Sequence, residues 1–215
     1  NPNVSLTEDE KNAIVAEAKF FRAYTYNILV NLFGGVPIVD KEELSPRFDY
    51  TRASRKEVLE FIQKDLEFAA QYLPIVTSEA SQDGRIFRAA ANHLLSEVYI
   101  SLGQETGDQS FYDKSIAAAT TVIDGSCGEY SLVKSRFGDT SRPGDYYSDL
   151  FWTNQQNRAS GNKEGIWVVQ FEYLTPGAEE ANNAQLRLWG PKIEDVTYPD
   201  GKKILVCDTV GRMQG

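Results

Sequence analysis

The segment AEAKFFRAYTYNILVNLFGGVPIV, residues 16–39, constrains the fold of this 215-residue chain more than any other. Thr7, with Glu10 three residues on, forms a capping box ahead of it. A helix is predicted from there to Gly34, where glycine suits the left-handed position that ends helices, and Pro37 prevents resumption. This helix carries two apolar stripes at the helical spacing of three and four. One is Ile14, Ala18, Phe21, Thr25, Ile28 and Leu32; the other is Ala13, Ala16, Phe20, Ala23, Asn27 and Val30. A helix resting on a core needs one apolar face, and a helix with two packs between neighbours. VPIV, after the glycines, reads as a short extended piece.

Three further helices follow. Ser54 with Glu57 is a second capping box; the stripe Val58, Ile62, Asp65/Leu66, Ala69, Leu73 runs to Pro74, which stops it. FRAAANHLLSEVYISLG has a main stripe of Ala91, Leu95, Val98 and Leu102, widened by Ala89, Ala90 and Leu94, with Gly103 expected to end it. FYDKSIAAATTVIDG sets Tyr112, Ile116, Ala119 and Ile123 in register and stops at Gly125. Small residues at Ala16, Ala23, Ala89 to Ala91 and Ala117 to Ala119 let backbones approach. Paired helices with small contact residues point to tetratricopeptide-like hairpins, with any helical bundle as the alternative. After Tyr130 helical periodicity fades and Gly, Pro, Asn, Asp and Ser become frequent. GIWVVQFEYL, residues 165–174, reads as a strand, and YPDGKKILV as a turn followed by another. The expected fold is therefore mainly α, with residues 1–130 a helical hairpin scaffold and residues 131–215 a loop-rich lobe containing a few short strands.

The formal charge of −9 would repel a phosphate backbone, which argues against nucleic acid as a partner. The apolar stretches carry Glu17, Lys19 and Arg22 or break early, short of the roughly 18 residues a membrane span needs. The first residues are Asn-Pro-Asn and the last are CDTVGRMQG, so both ends read as cut, and missing targeting signals are uninformative. Cys127 and Cys207 have neither zinc nor CxxC spacing and are either a disulfide or two unpaired buried thiols. No dinucleotide fingerprint, P-loop or GxSxG elbow is present. His93, with Glu97 one turn on, reads as a structural residue rather than a catalytic one. TGDQSFYD lacks the EF-hand pattern, so no metal is expected, nor any cofactor.

Chemistry concentrates in the second half. Trp152, Trp167 and Trp189 lie there with Tyr146, Tyr147, Tyr173 and Tyr198, among Asn154, Asn182, Asn183, Gln185 and Arg187. Aromatic rings among amides suit sugars: a ring packs on the C–H face of a pyranose while Asn, Gln and Arg bond its hydroxyls, and rigid rings lose little entropy. Trp167, inside a strand pattern, is expected in the core, and Trp152 is divided between core and ligand. The candidate ligand residues are Trp152, Tyr173, Trp189, Asn182, Asn183 and Arg187; no catalytic residue is assigned.

Four segments in this order, AEAKFFRAYTYNILVNLFGGVPIV, TRASRKEVLEFIQKDLEFAAQYLP, GRIFRAAANHLLSEVYISLG and FYDKSIAAATTVIDG, resemble the SusD/RagB family over roughly residues 13–133. YYSDLFWTNQQN and NKEGIWVVQFEY look like the family's next segment, and beyond them the match thins. The resemblance implies a SusD-like α/α fold without enzymatic activity. It implies a surface glycan-binding protein of Bacteroidota that captures oligo- or polysaccharide and delivers it to a TonB-dependent SusC-like outer-membrane barrel. It further implies an extracellular-facing lipoprotein whose N-terminal lipidated cysteine is not in this chain, which is thus expected to be a fragment. Three alternatives stay open: a peptide-binding protein of the RagB type, a helical-repeat adaptor, and a glycosidase, since two carboxylates alone can serve one.

Overall fold

The computed structural model describes residues 5–76, 84–152, 155–170 and 198–202. The chain divides into two compact units, residues 1–168 and 169–215.

The first unit begins with α1, Glu8–Phe33, and α2, Arg55–Tyr72. Both open on the expected capping boxes: Thr7 and Ser54 accept from the backbone N–H of Glu10 and Glu57, whose carboxylates reach back to the cap N–H groups. Both carboxyls are held below the usual carboxylate range, because the cap Thr7 and Ser54 hydrogen-bond their charged form. α3, Arg88–Thr106, and α4, Ser110–Ile123, follow, then the single turn α5, Tyr146–Asp149, and a 3₁₀ turn, Arg158–Ser160. Each long helix packs on the next in sequence. The pairs are antiparallel. Gly35, past the end of α1, meets Ala53, before α2. Arg55, at the start of α2, bonds Glu105, near the end of α3, at 2.8 Å. On α3 and α4, Gly103 meets Tyr112 while Ser96 accepts from Ser115 at 2.8 Å. The helical hairpins of the sequence reading are the observed frame.

One stripe of α1 is buried as expected. Ala16, Phe20, Ala23 and Val30 join Val58, Leu59, Ile62, Leu66 and Ala69 of α2 and Leu95, Val98 and Leu102 of α3 in a single core. Fully burying side chains such as Leu59, Ile62 and Leu66 contributes about 2 kcal/mol each. The other stripe departs from expectation. Ile14, Phe21, Ile28 and Leu32 are exposed among the described residues, because α2 lies on one side of α1 and no described helix lies on the opposite side. In α4 the expected stripe is likewise displaced. Ile116 and Ile123 are exposed, and the buried α4 residues are Ser115 and Ala118, small enough to bring the backbones together, while Tyr112 of the expected stripe does lie against Gly103 of α3.

α3 packs between α2 and α4, and Gly103 does not end it. The helix continues to Thr106 and is closed by Gly107 at φ 73°. Gly103 is interior because a Cβ there would lie 2.8 Å from the Tyr112 ring. The connection from α2 is tied to the exit of α4 by a single bridge between Val76 and Gly128. Cys127 is a buried free thiol, between Asn92 Nδ2 at 3.4 Å and Thr121 Oγ1 at 3.3 Å; Cys207 lies outside the described residues. Among the described residues no helix is long and apolar enough to cross a membrane.

The strand expected at 165–174 does not form over 165–170. There the side chains of Ile166 and Trp167 pack on the helices instead of a ladder forming, and residues 171–174 lie outside the described residues. In the second unit the turn expected at YPDG is present. Gly201, at φ 83°, donates to the Tyr198 carbonyl at 2.9 Å, and Tyr198 donates to the Lys202 carbonyl at 2.8 Å.

Candidate functional site

Two features of the first unit gather aromatic and polar groups. The first is a cleft of 430 Å³ between α1, α3 and the segment 164–167, lined by Phe20, Tyr24, His93, Glu97, Glu164 and Trp167 among others. Its aromatic wall is built from ring edges and faces. Trp167 stands perpendicular to Phe20 and Tyr24 at 5.8 and 5.4 Å, while Phe20 and Tyr24 are parallel at 6.3 Å. Such offset and edge-to-face pairs are favoured by the ring quadrupoles. Phe20 is the buried floor and Tyr24 is 37% exposed.

The segment carrying Trp167 is fixed from beneath. Asn162, buried, accepts on Oδ1 from the backbone N–H of Glu164 and Gly165 at 3.0 and 3.1 Å. Trp167 Nε1 donates to the Gly84 carbonyl at 3.1 Å, and Glu164 Oε1 accepts from the Val133 N–H at 2.6 Å. On α3, His93 Nε2 and Glu97 Oε1 stand 3.6 Å apart, one turn from each other, with both side chains more than half exposed. His93 is thus exposed, beside Glu97 and on the rim of the cleft.

The second feature is the loop 136–155. Arg136 clamps it by donating to the Asp149 carboxylate at 2.6 Å and to the Gly144 and Arg142 carbonyls. The buried Gln155 amide accepts from Asp139 N–H and donates to the Phe137 and Asp149 carbonyls. Asp145 caps α5 through Ser148. On this support Tyr147 and Phe151 are exposed and meet edge to face at 5.2 Å. Trp152 is partly buried, with the Arg142 guanidinium 5.1 Å from its ring centroid.

Asp149 is fully buried. The Arg136 bond holds its carboxyl below the usual range, against the opposing effect of burial and with help from the Phe137 N–H. A depressed folded-state value stabilises the loop above the ordinary carboxylate pKa of about 4, and the contribution is lost as pH falls below it. The protection of the Phe137 amide, its exchange rate relative to the intrinsic rate at each pH, should therefore fall on acidification below about pH 4, and Asp149→Asn should remove that pH dependence. Protection at Phe137 that stays flat through this range would show that the pair does not hold the loop.

Of the sequence-predicted ligand residues, Trp152 is in this loop. Tyr173, Asn182, Asn183, Arg187 and Trp189 lie outside the described residues. The cleft residues Tyr24, His93, Glu97, Glu164 and Trp167 were missed as a group. They come from three separated segments, and Trp167 reads as core. Among the described residues no group of His, Cys, Asp and Glu side chains could hold a metal ion.

Residues 3–100 match a SusD-like family model described as starch-binding associating with outer membrane. SusD-like protein P2 of Formosa agariphila is 28% identical over 174 residues, 79% of this chain and 30% of that protein. A SusD-like protein of Bacteroides fragilis, 27% identical, superposes with a TM-score of 0.58 over 79% of this chain and 29% of its own. Over its helical segments the chain is similar to the SusD-like family. A laminarin-binding SusD-like protein, 28% identical, superposes with a TM-score of 0.51 over 62% of this chain and 28% of its own. The mainly helical frame is that of these SusD-like neighbours. The chain spans about 30% of the length of the curated relatives first matched.

Proposed function

We propose that this SusD-like chain belongs to a surface glycan-binding protein that captures oligo- or polysaccharide and delivers it to a TonB-dependent SusC-like barrel in the outer membrane. Capture is by ring stacking and hydrogen bonding, with no bond broken, so the protein is not an enzyme. The observation that carries the reading is the match of the first helical segments to a family described as starch-binding and outer-membrane associated. The likeness to a laminarin-binding relative supports it. In this reading the helices are the frame, and the loop-rich lobe, residues 131–215, is the ligand-facing part. Trp152, Tyr173, Trp189, Asn182, Asn183 and Arg187 contact the sugar, and a lipid anchor on the parent polypeptide holds it at the extracellular face. The clamped loop 136–155 favours the assignment of Trp152, since a ring on a rigid support loses little entropy on binding.

Affinity electrophoresis and calorimetry against laminarin, starch and other neutral polysaccharides test this. Binding to at least one is expected, and Trp152→Ala should weaken it about fivefold to tenfold, the worth of one aromatic contact, with helical content unchanged. Saturable peptide binding without response to any polysaccharide would overturn the reading.

A further inference from the structure

We infer that the cleft between α1, α3 and residues 164–167 is a separate subsite for one uncharged pyranose unit, and that its rim excludes acidic sugars. The inference rests on the glycan-capture reading and goes beyond it, because none of these residues is among the ligand contacts proposed above.

Size, surface and charge converge on this ligand class. A cleft of 430 Å³ lies at the small end of ligand-site volumes. It is suited to a single ring and its linkages. The wall is apolar where Phe20, Tyr24, Leu94, Ile166 and Trp167 meet, which matches the C–H face of a pyranose. Trp167 spends its only N–H on the Gly84 carbonyl, so it offers a ring and no donor.

The rim supplies the complement. Glu97 and Glu164 are carboxylates, which only accept, and sugar hydroxyls donate to carboxylates in the stronger, charge-assisted class of hydrogen bond. His93 adds a nitrogen that either accepts or donates. Glu164 is held in place by the Val133 N–H, which engages one of its two carboxylate oxygens. The groups sit on two long helices and a turn fixed by Asn162, so the arrangement exists before a ligand arrives. No Lys or Arg is among the described lining residues. A uronate or sulfated sugar would bring its charge beside two carboxylates with no cation to compensate, and like charges disfavour each other.

The test uses paired trisaccharides that differ in charge: neutral gluco-, manno- and galacto-oligosaccharides against their uronate counterparts. Calorimetry gives the affinity, and the Trp167 indole N–H resonance reports occupancy of the cleft. At least one neutral trisaccharide should shift that resonance, and its uronate counterpart should not. Tyr24→Ala, at an exposed ring, should abolish the shift while binding of the captured polysaccharide through the loop persists. Glu97→Lys, on the exposed face of α3, should raise uronate affinity about fivefold by reversing one rim charge and weaken the neutral sugar. A Trp167 resonance unmoved by every neutral trisaccharide, with any polysaccharide still bound, overturns the cleft assignment and leaves glycan capture standing. Equal response to neutral and uronate partners overturns the charge selection. Failure to bind any glycan overturns the capture reading itself.

Discussion

Replacing Asp65 with alanine is expected to lower the stability of the first unit by about 3 kcal/mol. Asp65 belongs to the buried face of α2, only 2% exposed, amid Leu66, Ile62 and Ala69. Its two oxygens take three bonds from α1: Lys19 Nζ at 2.6 Å, Arg22 Nε at 2.7 Å and Arg22 Nη2 at 2.9 Å. The cations are themselves seated on α2 rings, Arg22 over Phe61 at 4.8 Å and Lys19 over Phe68 at 5.2 Å. Removing one member of a buried charge cluster strands the others, which costs about 3–5 kcal/mol. Lys19 and Arg22 each keep roughly 30% of their side-chain surface in water. They rehydrate in part, which sets the expectation at the low end. Guanidinium unfolding should show the loss as a lower midpoint at unchanged slope. A loss under about 1 kcal/mol would mean that apolar contacts alone set the register of α1 on α2.

Gly35→Ala is expected to cost at least as much, about 3 kcal/mol or more, by overpacking. A Cβ on Gly35 would sit 2.0 Å from the Ala53 carbonyl oxygen and 3.1 Å from two further backbone carbons. Backbone atoms cannot swing aside as the end of a side chain does. The neighbours are also committed: Ala53 donates to the Val36 carbonyl at 3.2 Å, Ser54 caps α2, and Arg52 donates to the Gly35 and Phe33 carbonyls. Gly34→Ala is the internal control. Gly34 has φ 72° and ψ −135° but open space around its Cβ position, so only backbone strain, about 1–3 kcal/mol, applies. Thermal unfolding of the two variants should rank Gly35→Ala well below Gly34→Ala; the reverse order would mean that backbone strain outweighs the close approach.

The neighbouring glycines show how far the sequence could be read. The α1 stop at Gly34 and the starts at Thr7 and Ser54 were legible because caps are local chemistry. Nothing local marks Gly35, because its reason is Ala53, eighteen residues away. Gly103 was misread as a terminator for the same cause: only the fold brings Tyr112 against it. Periodicity located both stripes of α1 without telling which one α2 would cover. In α4 the large residues suggested the inner face, whereas close approach selected Ser115 and Ala118. The stripe of α2 contained Asp65, and nothing local indicated that Lys19 and Arg22 would meet it. The aromatic candidates fared similarly. Trp152 was proposed as a ligand contact from its company of aromatics and amides. The cleft was invisible because Tyr24, His93, Glu97, Glu164 and Trp167 are joined only by packing.

Trp167 has one more effect. It sits against Phe20, Phe21 and Tyr24 of the first helix while its nitrogen reaches Gly84, in the connection before α3. The last residues of the first unit are thereby fastened to its beginning. A linear helical array can unravel from either extremity, one repeat at a time. This one is closed with a clasp, so its extremities and its irregular segment share one fate, and the whole should melt in a single cooperative step.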